Sequence, residues 1–342
     1  MGHRANFILI DEETRLSEPQ GFRVYASRWG ALSIMNSVFW GPKSARNAVD
    51  HHDPERAFWY DEVDAEGGIL MDCLKKKVLF YAETDELGFE LPLRRACFEM
   101  AQHFWQGWEF IWAWEGIHEF HQYLKINTAR HPELPILRYG MPMQHDNNFN
   151  FVLSVCSEKG DLFLYPLTTE TDFIFTCDSR EFLSLIPSYR PEANKLVFAW
   201  SWDESLNGGL HLDIASRRLE FWSNQIHSDG LACAQRCWPG WSVKWVEDQF
   251  ERQETLTQGR FRYIFPSDDQ LLEDVKHLLL TGRRDIPPTP KPSPPKTWWS
   301  KIFRSVETAI DSLPRVPSAR ERQLEEAIAE FQRRRDPTRG DQ

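Results

Sequence analysis

The hexapeptide GGILMD at Gly67–Asp72 returns as GGLHLD at Gly208–Asp213, 141 positions later. Each reads as a glycine pair opening a short apolar strand that ends on aspartate. Self-similarity at a fixed displacement marks a duplicated unit, so the flanks are compared outward from this pair. Downstream, WQGWEFIWAWE from Trp105 matches WPGWSVKWVED from Trp238, with Trp105, Gly107, Trp108 and Trp112 falling on Trp238, Gly240, Trp241 and Trp245. Upstream, Tyr25 of FRVYAS falls on Tyr165 of DLFLYP. At the start, HRANFILI lies on HDNNFNFVL, which sets His3 on His145, Asn6 on Asn148 and Phe7 on Phe149. The displacement stays at 140–142 through the earlier matches and drops by eight, to 133, around ETDELGFELP, between a strand pattern and a helix pattern, where a loop tolerates deletion.

Within one copy, NFILI and the alternating FRVYASRW read as strands. GPKSARNAV reads as a short helix with Pro42 in its first turn. GGILMD and KVLFYAE form a hairpin across CLKKK, as GGLHLD does across IASRR. LPLRRACFEMAQHF places Leu93, Cys97, Met100 and Phe104 on one helical stripe. WEFIWAW is a strand and EGIHEFHQYL a closing helix. Trp108 and Trp241, flanked by glycine, are expected as core anchors. The fold expected is α+β: two tandem, pseudo-symmetric copies of a mainly antiparallel sheet with helices. The copies span 1–125 and 143–284, the second extended by a strand at FRYIFP and a helix at DDQLLEDVKHLLLTG. A Pro-rich linker, 285–297, leads to a helical tail, 298–342.

The tail carries an apolar stripe through Trp298, Trp299, Phe303, Val306 and Ile310, expected to contact a partner or a second copy as a separate unit. Folding back onto the body and peripheral contact with a membrane surface are the other fates considered. Its basic residues are offset by acidic ones: from Lys296 onward ten Lys and Arg stand against eight Asp and Glu.

The chain of 342 residues is 41% hydrophobic, carries 15 tryptophans and has a net charge of −11. That composition supports a real core and argues against nucleic acid as the main ligand, because a phosphate backbone repels such a surface. No run is apolar and long enough to span a membrane, and the first residues do not read as a signal peptide. The six cysteines contain no CxxC, so the expected location is a reducing cytoplasm.

No phosphate loop, GxSxG or HExxH is present, and no catalytic residue, cofactor or metal site is assigned. His118 and His121, and the run His51, His52 and Asp53, are read as ordinary surface residues rather than metal ligands. Asp61, Asp64, Glu66, Asp203 and Glu204 cluster before the two glycine pairs and are read mainly as solvated. The polar residues repeated in both copies, His3/His145, Asn6/Asn148 and Asp72/Asp213, are candidates for a shared groove, although capping of turns is the plainer role. Arg4, Arg28 and Trp29 belong to the first copy alone. An arginine beside an aromatic is a common recognition pair for carboxylates, phosphates or a protein hot spot.

The segments GHRANFILI, VYASRWGA, EGGILMD and GWEFIWAWEGI resemble an uncharacterised family of bacterial proteins with a GHRAN start, a Y-x-x-x-W-G/A segment and a GG strand. The resemblance covers about the first 125 residues and implies a bacterial origin; it implies no activity. The second copy departs from it at HRAN and SRWGA. The expectation is a cytoplasmic protein-interaction protein, of immunity or defence type. The alternatives are a hydrolase with its site near His3 and the acidic residues, and a small-ligand sensor with a Trp-lined groove between the copies.

Overall fold

The computed structural model describes residues 3–50, 59–61, 64–83, 90–126, 149–167, 179–186, 197–201, 206–227, 229–281 and 319–335. The linker 285–297 and the stripe from Trp298 to Ile310 lie outside them. The first sheet contains β1 (Ala5–Ile10), β2 (Arg23–Ser27), β3 (Gly67–Asp72), β4 (Lys77–Ala82) and β5 (Glu109–Trp112) in the order β2-β1-β3-β4-β5. The second contains β6 (Phe151–Cys156), β7 (Leu162–Leu167), β9 (Gly208–Asp213), β10 (Arg218–Ser223) and β11 (Ser242–Trp245) in the order β7-β6-β9-β10-β11. Both sheets are mixed. β1–β2 and β3–β4 pair antiparallel, while β1–β3 and β4–β5 pair parallel, and the second sheet repeats these senses. The expected mainly antiparallel sheet is therefore half parallel. Strands adjacent in the chain give the antiparallel pairs, β1–β2 with α1 in its connection; crossovers between more distant segments give the parallel ones. A separate pair, β8 (Phe198–Ser201) and β12 (Phe261–Ile264), runs parallel beside the second sheet.

Register corrects the first-strand match. Gly67 and Gly68 stand opposite Ala5 and Asn6, whereas Gly208 and Gly209 stand opposite Phe151 and Val152. In the sheets Asn6 thus corresponds to Val152, four residues beyond Asn148. An even shift preserves the alternation of a strand's faces, so the sequence pattern could not exclude it.

Helices cover the first sheet: α1 (Glu12–Ser17), α2 (Ile34–Phe39), α3 (Pro42–Asp50), α4 (Leu91–Ala101) and α5 (Ile117–Leu124). The second sheet has α6 (Ser179–Leu185), α7 (Gly230–Cys237) and α8 (Phe250–Leu256). The recurring glycines serve close approach. A Cβ on Gly68 would lie 2.7 Å from the Phe120 ring of α5, and one on Gly209 would collide with Gln253 of α8. Leu93, Cys97 and Met100 of α4 are buried along the expected stripe, but the helix ends at Ala101 and Phe104 lies half-buried in the turn beyond it. The core anchors at the two WxGW turns are Trp105 and Trp238; Trp108 and Trp241 are half-buried, edge-on to them at 5.4 and 5.2 Å. Gly107 and Gly240, at φ +75° and +78°, turn the chain outward between each pair of tryptophans.

Two further helices close the first core. Leu271, Leu272, Val275, Leu278 and Leu279 of α9 (Asp268–Thr281) and Leu324, Ala327 and Phe331 of α10 (Ala319–Arg335) are buried in it. Arg335 pairs with Asp268 at 2.5 Å and with Glu99 at 3.4 Å, and Lys276 pairs with Glu325. The last helix of the tail is thus part of the body. Its apolar residues recur at helical spacing, which gives an otherwise charged helix one face to bury.

Candidate functional site

The parallel pairing of β1 with β3, and antiparallel pairing of β1 with β2, bring three chain ends together: His3 and Arg4 before β1, Glu66 before β3, and Arg28 and Trp29 after β2. Backbone bonds fix the spacing: Glu66 N donates to Arg4 O at 2.8 Å and Ala31 N to His3 O at 3.1 Å. His3 Nδ1 lies 2.7 Å from Glu66 Oε2, and Arg4 pairs with Asp64. The Arg4 guanidinium also lies 5.7 Å from the Tyr60 ring centre. Asn6, fully buried, holds Tyr60 by two backbone bonds of 2.9 Å: its Nδ2 donates to Tyr60 O, and its Oδ1 accepts from Tyr60 N.

Trp29 projects from this base and is 54% exposed. The His3 ring lies 5.9 Å from it on one side and the Arg28 guanidinium 6.0 Å away. Among the described residues no carboxylate pairs with Arg28. The following turn is pressed inward, since a Cβ on Gly30 would stand 2.7 Å from the Phe7 ring. The backbone beneath Trp29 is therefore anchored while its indole faces solvent. Leu32 extends the apolar surface.

The other candidates lie elsewhere. Asp72, at the far end of β3, caps the hairpin turn: its Oδ1 accepts from Leu74 N and Lys75 N at 3.0 and 2.9 Å, and its Oδ2 from Tyr123 Oη at 2.7 Å. Asp213 does the same for the second hairpin, accepting from Ser216 N at 3.1 Å, and bonds from Ser216 hold its carboxyl below the usual range. Neither faces a groove shared with His3. His145, Asn148, His51, His52, Asp53, Asp203 and Glu204 lie outside the described residues. His118 and His121 part company: His118 Nε2 lies 3.1 Å from Asp229 Oδ1, while His121 stacks on Trp59 at 4.9 Å. Burial pushes the His121 pKa down to about 4, followed by repulsion from His118.

A polar row under α8 escaped the sequence reading. Ser154, His211, Glu220 and Lys244 stand side by side on β6, β9, β10 and β11, where the first sheet carries Ile8, Leu70, Leu79 and Ile111. The signal was present in the two hexapeptides: His211 replaces Leu70. Ser154 Oγ is 2.8 Å from His211 Nδ1. Gln253 Nε2 donates to Ser154 Oγ, Leu210 O and Val152 O at 3.0, 2.9 and 3.2 Å, and Trp222 Nε1 donates to Gln253 Oε1 at 2.7 Å. Arg252 grips Glu220 with bonds of 2.8 and 3.0 Å and holds its carboxyl low. Burial pushes the His211 pKa down to about 4. A serine nucleophile must meet its substrate, and Ser154 is 0% exposed beneath α8. The row locks a helix to a sheet and is not a hydrolytic site.

No protein-family model matches the chain, and neither a curated protein nor a solved structure matches it significantly.

Proposed function

We propose that this is a protein-interaction protein whose recognition surface is Trp29 with Arg28, His3 and Leu32. The observation that carries the reading is an indole more than half exposed on an anchored turn, beside an arginine that pairs with no carboxylate among the described residues. Trp and Arg dominate binding hot spots because each offers large contact area with a directed polar group. Arg28 suits a carboxylate on the partner. The paired His3–Glu66 and Arg4–Asp64 stiffen the base, so little order remains to be bought on binding.

We further infer that the two halves descend from one duplicated unit. Identical strand order, pairing senses and hairpin register support this. The bacterial resemblance supports a bacterial cytoplasmic setting, and the acidic body suits an immunity or defence protein that holds a basic partner. Among the described residues no helix is long and apolar enough to cross a membrane. A small-ligand reading draws on Trp112, Trp114 and Trp245, which stand in a series at 6.3 Å steps where the halves meet, but Arg94 already fills the space between Trp112 and Trp114.

Co-purification from the cells that make the protein tests the reading. Trp29→Ala and Arg28→Glu should each lose the bound partner while leaving stability within about 0.5 kcal/mol, as surface substitutions do. Leu16→Ala, at another exposed apolar residue, should retain it. Equal retention in all three variants would defeat the proposal.

A further inference from the structure

The two halves meet along the start of α4 and the turns that follow β5 and β11. One side of the junction is built on arginine. Arg94, 1% exposed, donates to Asp248 Oδ2 at 3.1 Å and Asn224 O at 2.8 Å, with its guanidinium 5.0 and 4.9 Å from the Trp112 and Trp114 rings. Arg95 donates to Asp248 O at 2.7 Å and Oδ1 at 3.2 Å, and pairs with Glu251.

The other side repeats this layout with different chemistry. Glu109 and Ser242 hold the same place in register, 133 positions apart. At that displacement His227 stands for Arg94, Glu115 for Asp248 and His118 for Glu251. His227 N donates across the junction to Trp114 O at 3.2 Å; its Nε2 lies 2.9 Å from Ser223 Oγ and its ring 6.1 Å from Trp245. His118 of the first half meets Asp229 of the second at 3.1 Å. Glu115 accepts from Gln122 Nε2 at 3.1 Å, and Glu119 from Glu115 N at 3.0 Å. Around this histidine–carboxylate contact four acids gather: Glu115 and Glu119 from the first half, Asp229 and Glu247 from the second. Burial raises the carboxyl pKa of Glu115, Glu119 and Glu247. Asp229 adds to the rise at Glu115, Glu115 and Glu247 to that at Glu119, and Asp248 to that at Glu247.

We propose that the junction is a pH-responsive hinge, pinned by Arg94 and Arg95 and released on the His118 side as the pH rises. The sign follows from proton binding. A carboxyl whose pKa is raised in the closed junction binds its proton more tightly there than in water. Closure is therefore favoured at low pH and weakened as pH rises through the raised values. On the other side Arg94 and Arg95 keep their charge throughout. Deprotonation thus leaves four like charges facing one another at one end of the junction, while the other end holds.

Hydrogen exchange on the full chain tests this at the His227 amide, which bridges the halves. Its protection factor, corrected for the intrinsic pH dependence of exchange, should fall about tenfold or more between pH about 5 and about 8. Leu70 and Leu210, inside the two sheets, should show no fall over this range. In the Glu115→Gln, Glu119→Gln double variant, the fall at His227 should vanish. Three results would overturn the hinge: a flat profile at His227 in the unaltered protein, an equal fall in the double variant, or a parallel fall at Leu70 and Leu210.

Discussion

His211 carries a consequence out of proportion to its size in the sequence. Where the first sheet has a leucine, the second has an imidazole with its pKa near 4 and its Nδ1 against Ser154. A histidine whose folded pKa lies below its unfolded value stabilises the fold in its neutral form. That contribution is full above about pH 6.5 and is lost as the pH falls toward about 4, a loss of about 3 kcal/mol. His121 shifts in the same direction and adds its own share. Denaturant titrations across this range should show an acid destabilisation that shrinks by about that amount in His211→Gln. An unchanged profile in the variant would mean that His211 already charges freely. At Trp29 the opposite economy holds: more than half of the side chain faces solvent, which leaves it available for a partner.

At the scale of elements, the sequence was most informative where periodicity and special residues agree. The glycine pairs, the hairpins and most of the stripe of α4 follow from strand alternation, turn chemistry and helical spacing and appear where the pattern puts them; Phe104 alone falls past the end of the helix. The candidate surface was legible in part: Arg28 beside Trp29 suggested recognition, yet only pairing of β1 with β2 and β3 shows that His3, Arg4 and Glu66 join them. Asp72 takes the plainer of its two expected roles, capping a turn, because repetition in both copies marks turn capping as readily as function. Parallel pairing stayed hidden because it depends on crossovers between distant segments. Docking of α10 was hidden for a similar reason: Leu324, Ala327 and Phe331 are few among charges, and their partners lie in α4 and α9. That docking reverses the expectation that the body is indifferent to its tail. Truncation after residue 318 should uncover an apolar face and lower stability by several kcal/mol, with Phe331→Ala alone costing about 3 kcal/mol. Thermal unfolding checks both, and an unchanged midpoint for the truncated chain would show that α10 adds nothing to the core.

Across the whole molecule the two halves share a plan and divide its uses. The second half spends a central row of its sheet on polar residues that lock α8, and the first keeps that row apolar. The first half alone carries Arg28 and Trp29, on the end of the sheet where three strands open to solvent. On a chain of net charge −11, an arginine with no carboxylate partner among the described residues, set on an exposed indole, is a local exception to the prevailing charge. The account therefore rests on Trp29 as the point of contact. Replacing it with a photo-crosslinking aromatic residue in the cells that make the protein, with Leu16 replaced in parallel, tests this most directly. The account predicts one adduct of defined mass from position 29, lost when Arg28→Glu is added, and none from position 16. The same adducts from both positions, or none from position 29, would contradict it.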